Sequence, residues 1–114
     1  MFKSLFGGTT AANAVDLDFE TFAKAVDAGA VTVVDVREPH EYHAGHVPGA
    51  VNLPLSRFDP AELPTRGDNP VVIMCQAGGR SRKALNAAEA AGRSDLKHYP
   101  GGMGGWRANG GKVA

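Results

Sequence analysis

The chain has 114 residues, 43% hydrophobic and 21% charged, and its twelve basic and twelve acidic side chains leave no net charge. Such a composition describes one soluble globular domain with a core of its own; no apolar run reaches membrane-span length, and no basic stripe with interleaved aromatics suggests nucleic acid. One cysteine excludes an internal disulfide framework and any cysteine-based zinc cluster, and suits a reducing compartment such as the cytoplasm.

Residues 1–13 begin with a basic, signal-like Met1-Phe2-Lys3, but Gly7, Gly8, Thr9 and Thr10 interrupt the apolar stretch a secretion signal requires. They are read as a flexible tail, and residues 14–114 as the domain. Phe19, Phe22, Ala23 and Val26 follow helical spacing, with Asp18 as N-cap and Gly29 as stop. Val31 to Val36 is β-branched and almost wholly apolar, the pattern of a strand covered on both faces. Residues 37–49 form a loop with a short helical turn, and Ala50 to Leu53 a short strand closed by Pro54. In the connector over 56–69, Pro60 opens one helical turn. Val71 to Met74 is a third buried strand. Ser81 to Ala91 is a helix with Ala84, Leu85, Ala88 and Ala91 on one face and Gly92 at its end. Leu96 to Tyr99 is the last strand, and Met103 to Ala108 a terminal helix. Strands alternating with helices specify an α/β domain with a mainly parallel sheet and helices on both faces.

Cys75 stands at the carboxyl end of the third strand, where α/β sheets build their sites. Gln76-Ala77-Gly78-Gly79-Arg80-Ser81 then curls into a helix start, whose amides and partial positive charge favour a sulfur anion. A buried cysteine serving as a small hydrophobe is the competing reading. Ten of the twelve acids but only five of the twelve bases fall within residues 1–69, so Cys75 lies in the basic part of the chain. Arg80, Arg82 and Lys83 follow it closely. That field attracts a small anion, although Arg82 and Lys83 also fit an ordinary solvated helix face.

Three segments together resemble the rhodanese family of sulfurtransferases. They are Val34-Asp35-Val36-Arg37-Glu38-Pro39 with Glu41-Tyr42 and Gly45 to Pro54; the loop Cys75 to Ser81; and Gly101-Gly102 with Gly105-Trp106. The resemblance runs from about residue 15 to the C-terminus, with Lys112 standing where many relatives carry proline. It implies the rhodanese fold, a mainly parallel sheet of about five strands flanked by helices on both faces. It also implies a ping-pong reaction: Cys75 takes a sulfane sulfur from a donor such as thiosulfate and passes it, as a persulfide, to cyanide or a thiol, including a protein thiol. No metal or organic cofactor is called for, and the partners are small sulfur donors and acceptors. A sulfur-carrier or thiol-sensing module serving a protein partner is the alternative.

The amides of residues 76–81 are expected to hold the outer sulfur, with Gly78 and Gly79 easing the curl. Four residues separate Cys75 from Arg80, one fewer than in related phosphatases and arsenate reductases, which makes a cradle for one sulfur atom rather than a phosphoryl group. Arg80 either meets an anionic donor or braces the loop against an acid such as Glu41. Asp35 and Arg37 are expected to fix the neighbouring loop by hydrogen bonds. His46 could act as a base, but transfer from a thiolate needs little proton movement. His40, His43 and His46 recur every third residue, yet Gly45 and Pro48 break the helix a metal face would require. Trp106 is expected to anchor the core beneath the terminal helix rather than to stack on substrate.

Overall fold

The computed structural model describes residues 14–114 except Arg66 and Asp68, so the expected tail lies outside the described residues. Its elements are β1 (Val15–Asp16), α1 (Phe19–Asp27), β2 (Thr32–Asp35), α2 (Pro39–His43), β3 (Val51–Asn52), β4 (Val71–Met74), α3 (Gly79–Ala90), β5 (Lys97–His98) and α4 (Gly102–Ala108), with 3-10 turns at Leu55–Arg57 and Pro60–Glu62. The five strands form one sheet in the order β1-β5-β4-β2-β3, and every pairing is parallel. Among the described residues, no helix is long and apolar enough to cross a membrane.

Period-two alternation divides the central strands between two cores. Val34, Val36, Val71, Ile73 and Cys75 face one side, where Ala84, Leu85 and Ala88 of α3 cover them together with Leu63 and Leu96. Val33, Val72 and Met74 face the other side and meet Phe22 of α1, Tyr99, and Met103 and Trp106 of α4. Both faces are therefore dry, which explains why β2 and β4 read as unbroken apolar runs. Phe22 stacks on Tyr99 with centroids 4.4 Å apart, and the Trp106 ring stands edge-on to Phe19 and Phe22 at 5.5 and 5.4 Å. Trp106 Nε1 donates to the Lys112 carbonyl at 2.7 Å, fixing the chain's exit from α4.

Local chemistry sets the helix ends. Asp18 caps α1 by accepting from the Thr21 amide at 2.8 Å, and Gly29 ends it at φ +65°. Pro39 starts α2, in which Glu38 and Glu41 form a capping box. The sequence placed four strands; the fifth is Val15–Asp16, an edge strand with both residues exposed and so no buried face to read. Helix α3 begins two residues before the expected Ser81, and Ala91 lies beyond it, exposed, as its C-cap.

Candidate active site

Strand β4 runs between β2 and β5 and delivers Cys75 to the carboxyl edge of the sheet, 1% exposed. Gly78 turns the chain there with φ +99°, a left-handed conformation that any side chain would strain. The turn aims the Gly78 amide at Cys75 Sγ at 3.1 Å. Ser81, buried in the first turn of α3, brings its Oγ to 3.3 Å from the same sulfur. Gly79 differs from expectation. It has ordinary helical backbone and open space around it, so Gly78 alone carries the reversal.

Burial raises the thiol's hold on its proton. The Ser81 hydroxyl and the amides of Ser81, Ala77 and Gly78 act the other way and prevail, so the Cys75 pKa is lowered. Gln76 and Ala77 are exposed at the rim of the loop. The loop therefore presents hydrogen-bond donors to one atom on its inner side and the uncharged side chains of Gln76 and Ala77 to solvent.

Arg80 does not point its guanidinium freely at the loop mouth. It grips Glu41 of α2 with two hydrogen bonds, Nη1 to Oε1 at 2.6 Å and Nη2 to Oε2 at 2.9 Å. The Arg80 guanidinium, more than any other group, holds the Glu41 carboxyl down at about 2, and Glu41 in turn raises the Arg80 pKa. Asp35 and Arg37 form a second pair within the core, with Arg37 Nη2 to Asp35 Oδ2 at 2.7 Å and side chains 0% and 4% exposed. The remaining valence of the pair goes to backbone: Asp35 Oδ1 accepts from the Arg37 amide at 3.0 Å, and Arg37 Nη2 donates to the Gly45 carbonyl at 2.8 Å. Asp35 and Arg37 thus shape the 37–49 segment that presents Glu41, and neither is hydrogen-bonded to the sulfur.

The histidines divide. His40 and His43 are exposed on α2, while His46 stacks on Tyr42 at 3.8 Å with its Nδ1 at 2.9 Å from the Tyr42 carbonyl. Among the described residues, no group of three His, Cys, Asp or Glu side chains is arranged to hold a metal ion. His98 is the residue that sequence reasoning passed over. It is fully buried in β5, paired in register with Ile73, and its Nε2 lies 2.7 Å from Ser81 Oγ. A histidine two residues after Leu96, and so on the same face of the strand, was the available signal. Its meaning required knowing that α3 covers that face.

The model of the rhodanese-like domain matches residues 18–109. The chain belongs to the rhodanese-like family. It is 41% identical over 81 residues to the uncharacterized protein slr1261 of Synechocystis, covering 71% of this chain and 45% of that protein, so it spans less than half of that relative's length. It is 33% identical over 94 residues to the thiosulfate:glutathione sulfurtransferase of Saccharomyces cerevisiae, covering 71% of this chain and 68% of the yeast protein. The human single-domain sulfurtransferase TSTD1 superposes with a TM-score of 0.70 at 28% identity, covering 83% of this chain and 96% of that one. The rhodanese-like family thus accounts for the all-parallel sheet.

Proposed function

We propose that this rhodanese-like domain is a sulfurtransferase that carries a sulfane sulfur on Cys75, with thiosulfate as a competent donor and cyanide or a thiol as acceptor. The observation that carries the reading is the convergence on one sulfur of the Gly78 amide, the Ser81 hydroxyl and further loop amides. The Cys75 thiolate attacks the outer sulfur of thiosulfate; a new S–S bond forms as the old one breaks, and sulfite leaves with the bonding electron pair. The persulfide's outer sulfur is anionic, and the same inward-facing donors suit it. The acceptor then attacks that sulfur, and the S–S electron pair returns to Cys75 as thiolate. Arg80, already paired with Glu41, braces the loop, and the exposed Gln76 and Ala77 border the approach to the sulfur. A lone thiol of this kind stays free in a reducing compartment, which favours the cytoplasm.

The test is thiocyanate formation from thiosulfate and cyanide beside a Cys75→Ser variant. Turnover is expected only with the cysteine intact, and mass spectrometry of thiosulfate-treated protein should show one added sulfur atom. Acquisition of that atom without turnover would instead establish a sulfur carrier for a protein partner. Phosphate release from an aryl phosphate, lost in Cys75→Ser, would overturn the steric case from loop length.

A further inference from the structure

A buried thiol that reacts as a thiolate must first pass its proton to something. Cys75 Sγ has Ser81 Oγ at 3.3 Å; Ser81 Oγ has His98 Nε2 at 2.7 Å; and His98 Nδ1 faces Asp16 Oδ1 at 3.5 Å. Cys75, Ser81 and His98 are all buried, whereas the Asp16 side chain is 57% exposed. This file of groups crosses from β4 through α3 and β5 to β1, and it leads from the sulfur to water. His98 Nδ1 is itself buried, and the group it faces is the Asp16 carboxylate at 3.5 Å.

We propose that Ser81 and His98 form a proton relay serving Cys75, in which the thiol proton moves to Ser81 Oγ as the Ser81 hydroxyl proton moves to His98 Nε2. One S–H and one O–H bond break, one O–H and one N–H bond form, and the sulfur keeps its electron pair. Before the transfer the ring is neutral, with Nε2 accepting from Ser81 and the Nδ1 proton directed toward Asp16. After it, the imidazolium lies between the Asp16 carboxylate and, through Ser81, the new thiolate. The charged groups around the ring are Asp16 from β1 and Arg82 from α3. Burial first, and then Arg82, lower the His98 pKa, while Asp16 partly restores it. Burial and Arg82 thus favour the neutral ring, the form that can accept the proton.

The inference rests on Cys75 reacting as a thiolate, and its test reads that thiolate without any sulfur donor, so missing turnover in the sulfurtransferase assay leaves it standing. The rate of iodoacetamide alkylation of Cys75 is followed against pH in wild type, Ser81→Ala, His98→Leu, His98→Gln and the Ser81→Ala/His98→Gln double variant, each checked for fold by circular dichroism. Ser81→Ala and both His98 variants are expected to move the alkylation midpoint upward by about one pH unit. The double variant should move it no further than Ser81→Ala alone, because the ring reaches the sulfur only through the hydroxyl. Glutamine is the decisive substitution: its amide can hydrogen-bond Ser81 but cannot take a proton. A wild-type midpoint in His98→Gln, or additive shifts in the double variant, would overturn the relay. If His98→Leu does not fold, His98→Gln alone carries the comparison.

Discussion

Gly102 lies against the backbone of Gln76 so closely that a Cβ on Gly102 would collide with the Gln76 carbonyl. The contact belongs to a rear support for the loop. The Met103 amide donates to the Cys75 carbonyl at 2.8 Å, and the Gly104 amide to the Gln76 carbonyl at 3.1 Å. With these carbonyls held from behind by the start of α4, the following amides are left facing the sulfur. Gly102 at the start of α4 and Gly78 after Cys75 are thus two halves of one device.

Gly102→Ala should therefore act on the loop although it lies far from it in sequence. The residue has φ +62° and no space for a methyl group, so strain and collision together should cost about 2–4 kcal/mol. Thermal unfolding measures that loss. Sulfur loading by thiosulfate should fall beyond what the unfolded fraction accounts for.

Within the loop, the two adjacent glycines should respond oppositely to alanine. Gly78→Ala forces a side chain into the left-handed region and within 3.0 Å of the Pro100 carbonyl, costing roughly 1–3 kcal/mol. Gly79→Ala adds a methyl in open space at a helix start and should be neutral or stabilising by up to about 1 kcal/mol. Urea unfolding of the two variants distinguishes them.

What the sequence made legible follows from how local each signal is. Strand β4, the thiol at its end and the glycine loop lie within eleven consecutive residues, and the structure keeps them together in that order. Helix α1 carries its own cap and stop, and its limits were recoverable to within one residue. The β1 strand was invisible because both its residues are exposed, and its pairing with β5 is decided by tertiary contact. His98 was invisible as a partner of Ser81 because seventeen positions separate them, and only the parallel register beside β4 brings them together. The two readings of Arg80 could not be separated in one dimension, since Glu41 reaches it from 39 positions away.

The Glu41–Arg80 pair should show in acid. Its partner holds the Glu41 carboxyl at about 2, below the value for an unfolded chain, so the folded state binds fewer protons in that interval. The pair's contribution is complete above roughly pH 4.5 and is lost as pH falls toward 2. Both side chains are partly exposed, which limits the contribution to about 1 kcal/mol or less. Glu41→Gln should lower the urea midpoint slightly at pH 7 and not at all near pH 2.

Asp35 and Arg37 present the opposite case, a pair removed from water. Asp35→Ala leaves the Arg37 guanidinium buried without its counter-ion, which should cost about 3–5 kcal/mol. The urea midpoint should fall sharply, and the 37–49 segment should become open to limited proteolysis. Thiocyanate formation by the remaining folded protein should decline only as far as Glu41 is displaced from Arg80.

Cys75 should make the folded protein more stable at alkaline pH than a Cys75→Ser variant does. Its pKa is lowered in the fold, so between the folded and unfolded values the unfolded chain binds more protons and stability rises with pH. The gain is complete above the ordinary thiol range and disappears as pH falls through the folded value. Serine does not ionise in that interval and should show no such rise. Unfolding free energies of the two proteins, measured from pH 6 to pH 10, should therefore diverge with increasing pH. Parallel curves would mean that the loop's donors do not favour the sulfur anion.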